Sequence, residues 1–256
     1  MDGVEVPSFA DPGLRLEKPD LSGIRAIRFL TSDDYPPLDF ALKDGNLAGF
    51  NVAIARAVCE QLEIACTIQA RRFDTLIDAL VAGKGDAVVA SIAATDQTRA
   101  RIDFSEPYYQ TPARFVVRKG VAPFDVTAGG LKGKTVGVVG GSSHEAYIKD
   151  FFPGAKPKAY PDVPALQTAL RMGEIDVAFA DSLTLAVWLN SGLSADCCHF
   201  VGGPYCESRY FGEGVGIAVR TDDVVLRKAL NWALAQLFSK GVYTELYLKY
   251  FPIGFY

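Results

Sequence analysis

Two stretches decide the fold: LIDALVAGKGDAVVAS at residues 76–91 and LQTALRMGEIDVAFAD at residues 166–181. At an offset of ninety residues, Leu76, Leu80, Gly83 and Asp86 fall in register with Leu166, Leu170, Gly173 and Asp176, without a gap. Each copy reads as an amphipathic helix, a glycine at its C-terminal cap, a turn and an apolar strand. A strand without polar alternation, such as AVVA or VAFA, is the kind buried on both faces of a parallel sheet. The repeat therefore predicts two similar α/β lobes. Ser91 and Asp181 then occupy equivalent places, each leaving the carboxyl end of a strand, where open α/β sheets bind ligands.

Outward from the repeat, strand and helix signals alternate. Residues 26–30 read as a strand, and residues 39–50 as a hairpin with a type I′ turn at Asp44-Gly45. Asn51 is placed as the N-cap of a helix reaching Leu62, with Ile54, Val58 and Leu62 on one face. A short strand follows over 67–70, and Asp74 is expected to cap the helix that ends before Gly83. In the second lobe, which starts near Leu131, a strand covers 135–139 and a helix 143–151. Residues 114–119 read as a strand crossing between lobes and 210–219 as the return, and helices over 225–238 and 243–250 close the chain. Lobe 1 is thus expected at 24–112 plus 213–256, lobe 2 at 113–212, and residues 1–23 form an N-terminal extension. Two crossings are the geometry of hinge closure around a ligand.

Composition excludes several classes of function. The chain has 256 residues, a length suited to one large domain or two lobes. No apolar run approaches the ~20 residues of a membrane span. Twenty-six basic against thirty acidic residues give a net charge of −4 without a basic stripe, so no nucleic-acid partner is expected. With His144 and His199 as the only histidines and no C-x-x-C, no metal site and no cofactor are expected. The N-terminal residues 1–19 are acidic and proline-broken and carry no apolar core of a secretory leader. Cys59 and Cys66 bracket EQLEIA, which leaves both a bridge and a buried helix-face thiol open; Cys197 and Cys198 are adjacent, and Cys206 follows.

Two segments resemble reactive motifs, and three single residues stand out beside them. GGSSH at 140–144 follows a strand and opens a helix, so its N–H groups and hydroxyls would favour an anion. As a nucleophile elbow it fails, because His144 stands where G-x-S-x-G needs glycine. GGLKGKT at 129–135 imitates a phosphate loop, but its last residues enter a strand where such a loop must enter a helix. Asp181, at the end of VAFA, is a costly place for a carboxylate unless it meets a cation or several donors. Tyr35 and Phe73 flank strands, where aromatics either sandwich a ligand or pack the core.

By these residues the chain resembles the periplasmic amino-acid-binding proteins of ABC importers, the family-three solute-binding proteins. The resemblance spans residues 27–251 and is carried by YPPLDF (35–40), LAGFNVAIARAVCEQL (47–62), FDTLIDALVAGKGDAVVASIAAT (73–95) and RIDFSEPYY (101–109). It continues through LKGKTVGVVGGSSHEAY (131–147), GEIDVAFADS (173–182), GVGIAVR (214–220) and KGVYTELYLKYF (240–251). It implies a two-lobed α/β fold of the type II periplasmic-binding-protein kind, the lobes joined by two hinge strands. It also implies a monomer in the periplasm that delivers a small-molecule solute to the membrane permease of an ABC importer. Lysine- and histidine-type members carry a small disulfide matching Cys59–Cys66.

The same resemblance assigns Tyr35 and Phe73 to the aromatic pair that stacks on the ligand. Ser91 falls at the cleft end of a first-lobe strand, Ser142 and Ser143 at the hydroxyl pair for the ligand carboxylate, and Asp181 at the residue taking the α-ammonium. Two positions depart from the pattern: Thr98 stands where the family has its carboxylate-clamping arginine, and Ala93 where it has a hydroxyl residue. Arg99 is one step away, but a helical step turns a side chain by ~100°. Without bidentate arginine a free α-carboxylate loses its strongest partner, so an amino-acid derivative or another amine- or guanidine-bearing solute fits the retained Asp181 better. The expected role is binding without catalysis. The alternatives are an enzyme similar to the periplasmic cyclohexadienyl dehydratases, with Glu207 or Glu213 as the acid, and a sensor partner that presents its ligand to a receptor.

Overall fold

The computed structural model describes residues 6, 7 and 16–251, in two compact units. In chain order the elements are β1 (Ala26–Thr31), β2 (Asp34–Tyr35), β3 (Asp39–Ala41), β4 (Leu47–Ala48), α1 (Phe50–Leu62), β5 (Ala65–Ala70), α2 (Leu76–Val81), β6 (Ala87–Val88), α3 (Asp96–Arg99) and β7 (Asp103–Phe104). There follow β8 (Ala113–Arg118), β9 (Thr135–Val139), α4 (Ser143–Phe151), β10 (Lys156–Tyr160), α5 (Val163–Met172), β11 (Val177–Asp181), α6 (Ser182–Leu189), β12 (Cys198–Tyr205) and α7 (Ser208–Phe211). The chain closes with β13 (Ala218–Val219), α8 (Val224–Ser239) and α9 (Val242–Tyr250). The first unit holds the described residues up to Gln110 and from Glu213 onward; the second is Thr111–Gly212.

Each unit has a five-stranded sheet of one topology, β5-β1-β6-β13-β7 in the first and β10-β9-β11-β8-β12 in the second. Three parallel strands stand in the order second, first, third. The fourth strand, β13 or β8, runs antiparallel to both neighbours. Both fourth strands come shortly after the chain has entered their unit, β8 after Thr111 and β13 after Glu213. Residues 114–119 therefore do not form the crossing. They are the fourth strand of the second sheet, and its buried alternation reflects two covered faces.

The repeat is the same structure twice. Gly83 and Gly173 donate to the carbonyls of Leu80 and Leu170, and Lys84 and Glu174 to those of Ala79 and Ala169. Both glycines are left-handed, with φ of 69° and 81°, which is why glycine recurs there. The repeated aspartates clasp the first strand of each sheet: Arg28 N–H donates to Asp86 (2.9 Å) and Thr135 N–H to Asp176 (2.8 Å). In return the Asp86 and Asp176 N–H groups donate to the Arg28 and Thr135 carbonyls. Burial works to raise the Asp86 carboxyl, but hydrogen bonds and charge from Arg28 outweigh it and leave the group below its ordinary value.

Apolar alternation sets the packing. In the second sheet Phe115, Val117, Val177 and Phe179 join Tyr147 and Ile148 on one face, while Val116, Ala178 and Ala180 join Leu166, Leu170 and Trp188 on the other. The first unit packs α2 residues Leu76 and Leu80 against Leu30, Val88 and Phe104. The ring of Phe50 at the start of α1 meets Tyr243, Tyr247 and Phe251 at 5.8, 6.2 and 5.0 Å, which fixes the C-terminal helix to the first unit.

Four local expectations are corrected. Asp44 has no positive φ, so the hairpin turn is not type I′; the loop closes through Leu42 N–H to Asn46 carbonyl (2.8 Å) and Gly45 N–H to Leu42 carbonyl (2.9 Å). Helix α1 starts two residues earlier than expected, with Gly49 (φ 119°) as its N-cap, and Asn51 is not its cap. The Pro37 and Leu38 carbonyls take the first helical N–H groups, and a side chain at Gly49 would collide with the Leu38 carbonyl. Asp74 caps nothing: a 3-10 turn over Phe73–Thr75 leads into α2, and the Asp74 carboxylate pairs with Arg72 (2.6 Å). Finally, β6 ends at Val88, and Ser91, three residues on, sits in the left-handed region at φ 59°.

Cys59 and Cys66 are bridged, with Cα atoms 6.1 Å apart, as the resemblance implied. The adjacent Cys197 and Cys198 are also joined, and Cys206 is unpaired. No helix among the described residues is long and apolar enough to cross a membrane.

Candidate functional site

In the first unit, the two aromatic candidates are exposed: Tyr35 on β2 at 45% and Phe73 in the 3-10 turn at 53%. Core packing, the plainer reading of both rings, is thereby excluded. Ser91 is half-buried at the end of the strand run. Its hydroxyl accepts from the side-chain amide of Asn51 (2.9 Å), and Asn51 is fully buried. The same amide donates to Asp39 (2.6 Å), while Tyr108 donates to the Asn51 carbonyl oxygen (2.6 Å). Ser32 completes the group with a hydrogen bond to the second Asp39 oxygen. Burial pushes the Asp39 carboxyl above its ordinary value, against the bonds from Ser32 and Asn51. Nothing in the local sequence signals this network, because its members are scattered from Ser32 to Tyr108.

The loop after Ser91 closes on itself. The Thr98 hydroxyl donates to the carbonyl of Ala93 (2.9 Å) and accepts from Thr95 N–H (2.9 Å), and Ala93 bridges Val215. Arg99 forms an ion pair with Glu213 (2.7 Å) and lies 5.7 Å over the ring of Phe104. Arg72 and Arg101 pair with Asp74 and Asp78, both at 2.6 Å. Thus Thr98 supplies no guanidinium, and the arginine beside it is held by an acid 114 residues away.

In the second unit, Ser142 caps α4: its hydroxyl accepts from Glu145 N–H (3.3 Å) and donates to the Val139 carbonyl (2.7 Å). Glu145 reaches back to Gly141 N–H (2.7 Å) and pairs with Lys149 (2.6 Å). This is a variant of the capping box, and the bonds from Lys149 and Gly141 hold the Glu145 carboxyl below its ordinary value. The helix start expected to favour an anion already holds one of its own, and the Ser142 hydroxyl is committed to the cap. Ser143 remains exposed.

Asp181 ends β11 and caps α6, its Oδ1 accepting from Thr184 N–H (2.8 Å) and the Thr184 hydroxyl (2.9 Å). Among the described residues no hydrogen bond or ion pair reaches its Oδ2. His144 is close by, its ring 5.6 Å from Phe179 and 5.1 Å from Phe211. Burial lowers the His144 imidazole, and the charge of Asp181 opposes that shift. The structure thus packs His144 against Phe179, two residues before Asp181 on β11, although their distance in sequence hides it. Of the acids considered for catalysis, Glu213 is in the Arg99 ion pair and Glu207 is hydrogen-bonded by Tyr147.

Two α/β units of one topology, between which the described chain passes twice, with a hydroxyl and a carboxylate side chain at the ends of equivalent strands, define a two-lobed periplasmic-binding-protein-like fold of type II. The chain belongs to the bacterial extracellular solute-binding proteins, family 3, whose family model matches residues 27–253. It is 36% identical over 243 residues to the L-arginine-binding protein of Pseudomonas aeruginosa, covering 94% of this chain and 93% of that one. It is 32% identical to the lysine/arginine/ornithine-binding periplasmic protein of Escherichia coli, with 90% and 89% covered. Among solved structures, a Salmonella typhimurium periplasmic binding protein described for high arginine specificity matches with a TM-score of 0.59 and 32% identity, over 89% of this chain and 99% of that one.

Proposed function

We propose that the protein is the periplasmic solute-binding subunit of an ABC importer and that its solute carries an amine or guanidine group. Hinge closure would bring Tyr35, Phe73 and Ser91 of one lobe and Ser143 and Asp181 of the other onto one solute. The observation that carries this reading is Asp181, a half-buried carboxylate with one oxygen engaged by Thr184 and the other unbonded among the described residues. A solute cation is the partner such a group calls for. The relatives named for arginine, lysine and ornithine support the same chemistry. In this reading the protein acts as a monomer that binds and releases its solute unchanged; Glu213 serves an ion pair with Arg99 and Glu207 a contact with Tyr147.

With no guanidinium at Thr98, the solute's carboxylate contributes no more than about one hydrogen bond to affinity. Calorimetric titration with L-arginine and with agmatine, its decarboxylated analogue, tests this. Both should bind, with affinities within about ten-fold, about the worth of one ordinary hydrogen bond. Binding of neutral amino acids alone would refute the cation reading. Agmatine weaker by a thousand-fold would show a carboxylate clamp elsewhere.

A further inference from the structure

The polar group behind Ser91 has a direction. An ionised carboxylate only accepts hydrogen bonds, so the nitrogen of the Asn51 amide must face Asp39, at 2.6 Å. That leaves the amide oxygen for the Tyr108 hydroxyl, at 2.6 Å, and sends the second N–H to the Ser91 oxygen, at 2.9 Å. The Ser91 oxygen is therefore an acceptor inside the protein, and its own proton stays available outward. Asp39, Asn51 and Tyr108 are fully buried and Ser32 nearly so, so no water competes for these bonds. Ser91 itself sits at φ 59°, a conformation uncommon for any residue but glycine. Such a backbone is kept where the surroundings over-determine it, and the Asn51 amide is one such restraint.

We propose that Asn51 and Asp39 are positioning residues that set Ser91 as a hydrogen-bond donor, so that the first lobe reads an acceptor oxygen on the solute: a carbonyl, carboxylate or hydroxyl. This rests on the reading that Ser91 faces the solute. Asn51 touches no solute and acts through Ser91, and Asp39 acts through Asn51. Tyr108 locks the amide from its oxygen side and ties it to the aromatic cluster around Phe50.

Two measurements test the device. In nitrogen-15 spectra of the solute-free protein, both Asn51 side-chain amide protons should exchange slowly with water. Ser91→Ala should shift one of them strongly, and Asp39→Asn the other. In the second, calorimetric titration with L-arginine, Ser91→Ala and Asn51→Ala should each weaken binding about ten-fold, and the double variant should also lose about ten-fold rather than a hundred-fold. A merely structural Asn51 would weaken the parent and Ser91→Ala alike. If Asn51→Ala fails to fold, Asn51→Ser replaces it, and the amide spectra need neither variant. Additive losses, or an Asn51 amide unmoved by Ser91→Ala, would overturn the proposal. Failure of the parent to bind L-arginine strikes the functional reading instead, and the spectra still decide the positioning.

Discussion

Replacing Asp181 by asparagine or by alanine separates its two roles. As N-cap of α6 the side chain accepts two hydrogen bonds from Thr184 through one oxygen, at 2.8 and 2.9 Å. Asparagine caps helices about as well as aspartate, so Asp181→Asn keeps both bonds and loses only the charge at the helix N-terminus, about 0.3–1 kcal/mol of stability. Alanine loses the cap as well, about 1 kcal/mol more, or about 2–4 °C in melting temperature for a protein of this size. Affinity should divide differently. Leaving a desolvated cation unpaired costs about 2–5 kcal/mol, so both variants should bind L-arginine between about thirty-fold and several thousand-fold more weakly. Melting curves of the solute-free variants read the cap, and calorimetric titration reads the charge. If Asp181→Asn bound like the parent while Asp181→Ala melted lower, the carboxylate would be a helix cap only, and the cation assignment would be wrong.

Three further outcomes follow from particular groups. Alkylation of the denatured, unreduced protein should label Cys206 alone, and reduction should cost about 2–3 kcal/mol for the short loop closed by Cys59 and Cys66; three labelled thiols would remove the Cys197–Cys198 bond. Thr98→Ala should change solute affinity less than about three-fold and cost about 1 kcal/mol of stability, since its hydroxyl serves the loop at Ala93 and Thr95; a large affinity loss would place Thr98 on the solute. The buried Asp39 carboxyl holds its proton more tightly in the folded chain than at the unfolded value of 3.8, so its ionisation penalises folding above the raised value. That penalty is relieved as the pH falls through the raised value toward 3.8, opposite in sign to Asp86, whose lowered value makes it stabilising at neutral pH. Asp39→Asn should remove this relief, so chemical denaturation between pH 7 and about 4 should show the parent gaining on the variant. Parallel curves would mean Asp39 is not strained by burial.

Much of the fold could be read from residue pattern alone because it depends on local periodicity and backbone chemistry. The helix α4 falls on 143–151 and the strand β9 on 135–139 as expected, β11 covers the apolar run VAFA and Asp181, α8 is longer by a residue at each end and α9 by one at its start. Each of these has its apolar residues at the period its conformation requires, and nothing distant competes. Where expectation failed, a distant partner had intervened. Asn51 in isolation has the chemistry of an N-cap, but the Leu38 carbonyl takes its N–H and frees the side chain to turn inward. The apolar run after Asp86 promises a full strand, yet Ser91 bends away at its end.

The amino-acid sequence by itself determined the two α/β units, because one pattern of leucines, glycine and aspartate occurs twice and each residue acts within its own turn of helix or neighbouring strand. It also determined the chemical types at the strand ends, including a hydroxyl at Ser91 and a carboxylate at Asp181. Tertiary structure alone decided what each polar group does. Asn51 joins Asp39 twelve residues before it, Ser91 forty after and Tyr108 fifty-seven after. Arg99 is drawn to Glu213, and His144 packs against Phe179 and Phe211. A hydrogen-bonding side chain carries no label for its partner. Burial removes water as the alternative, and the folded chain then pairs whichever donors and acceptors packing has brought within reach.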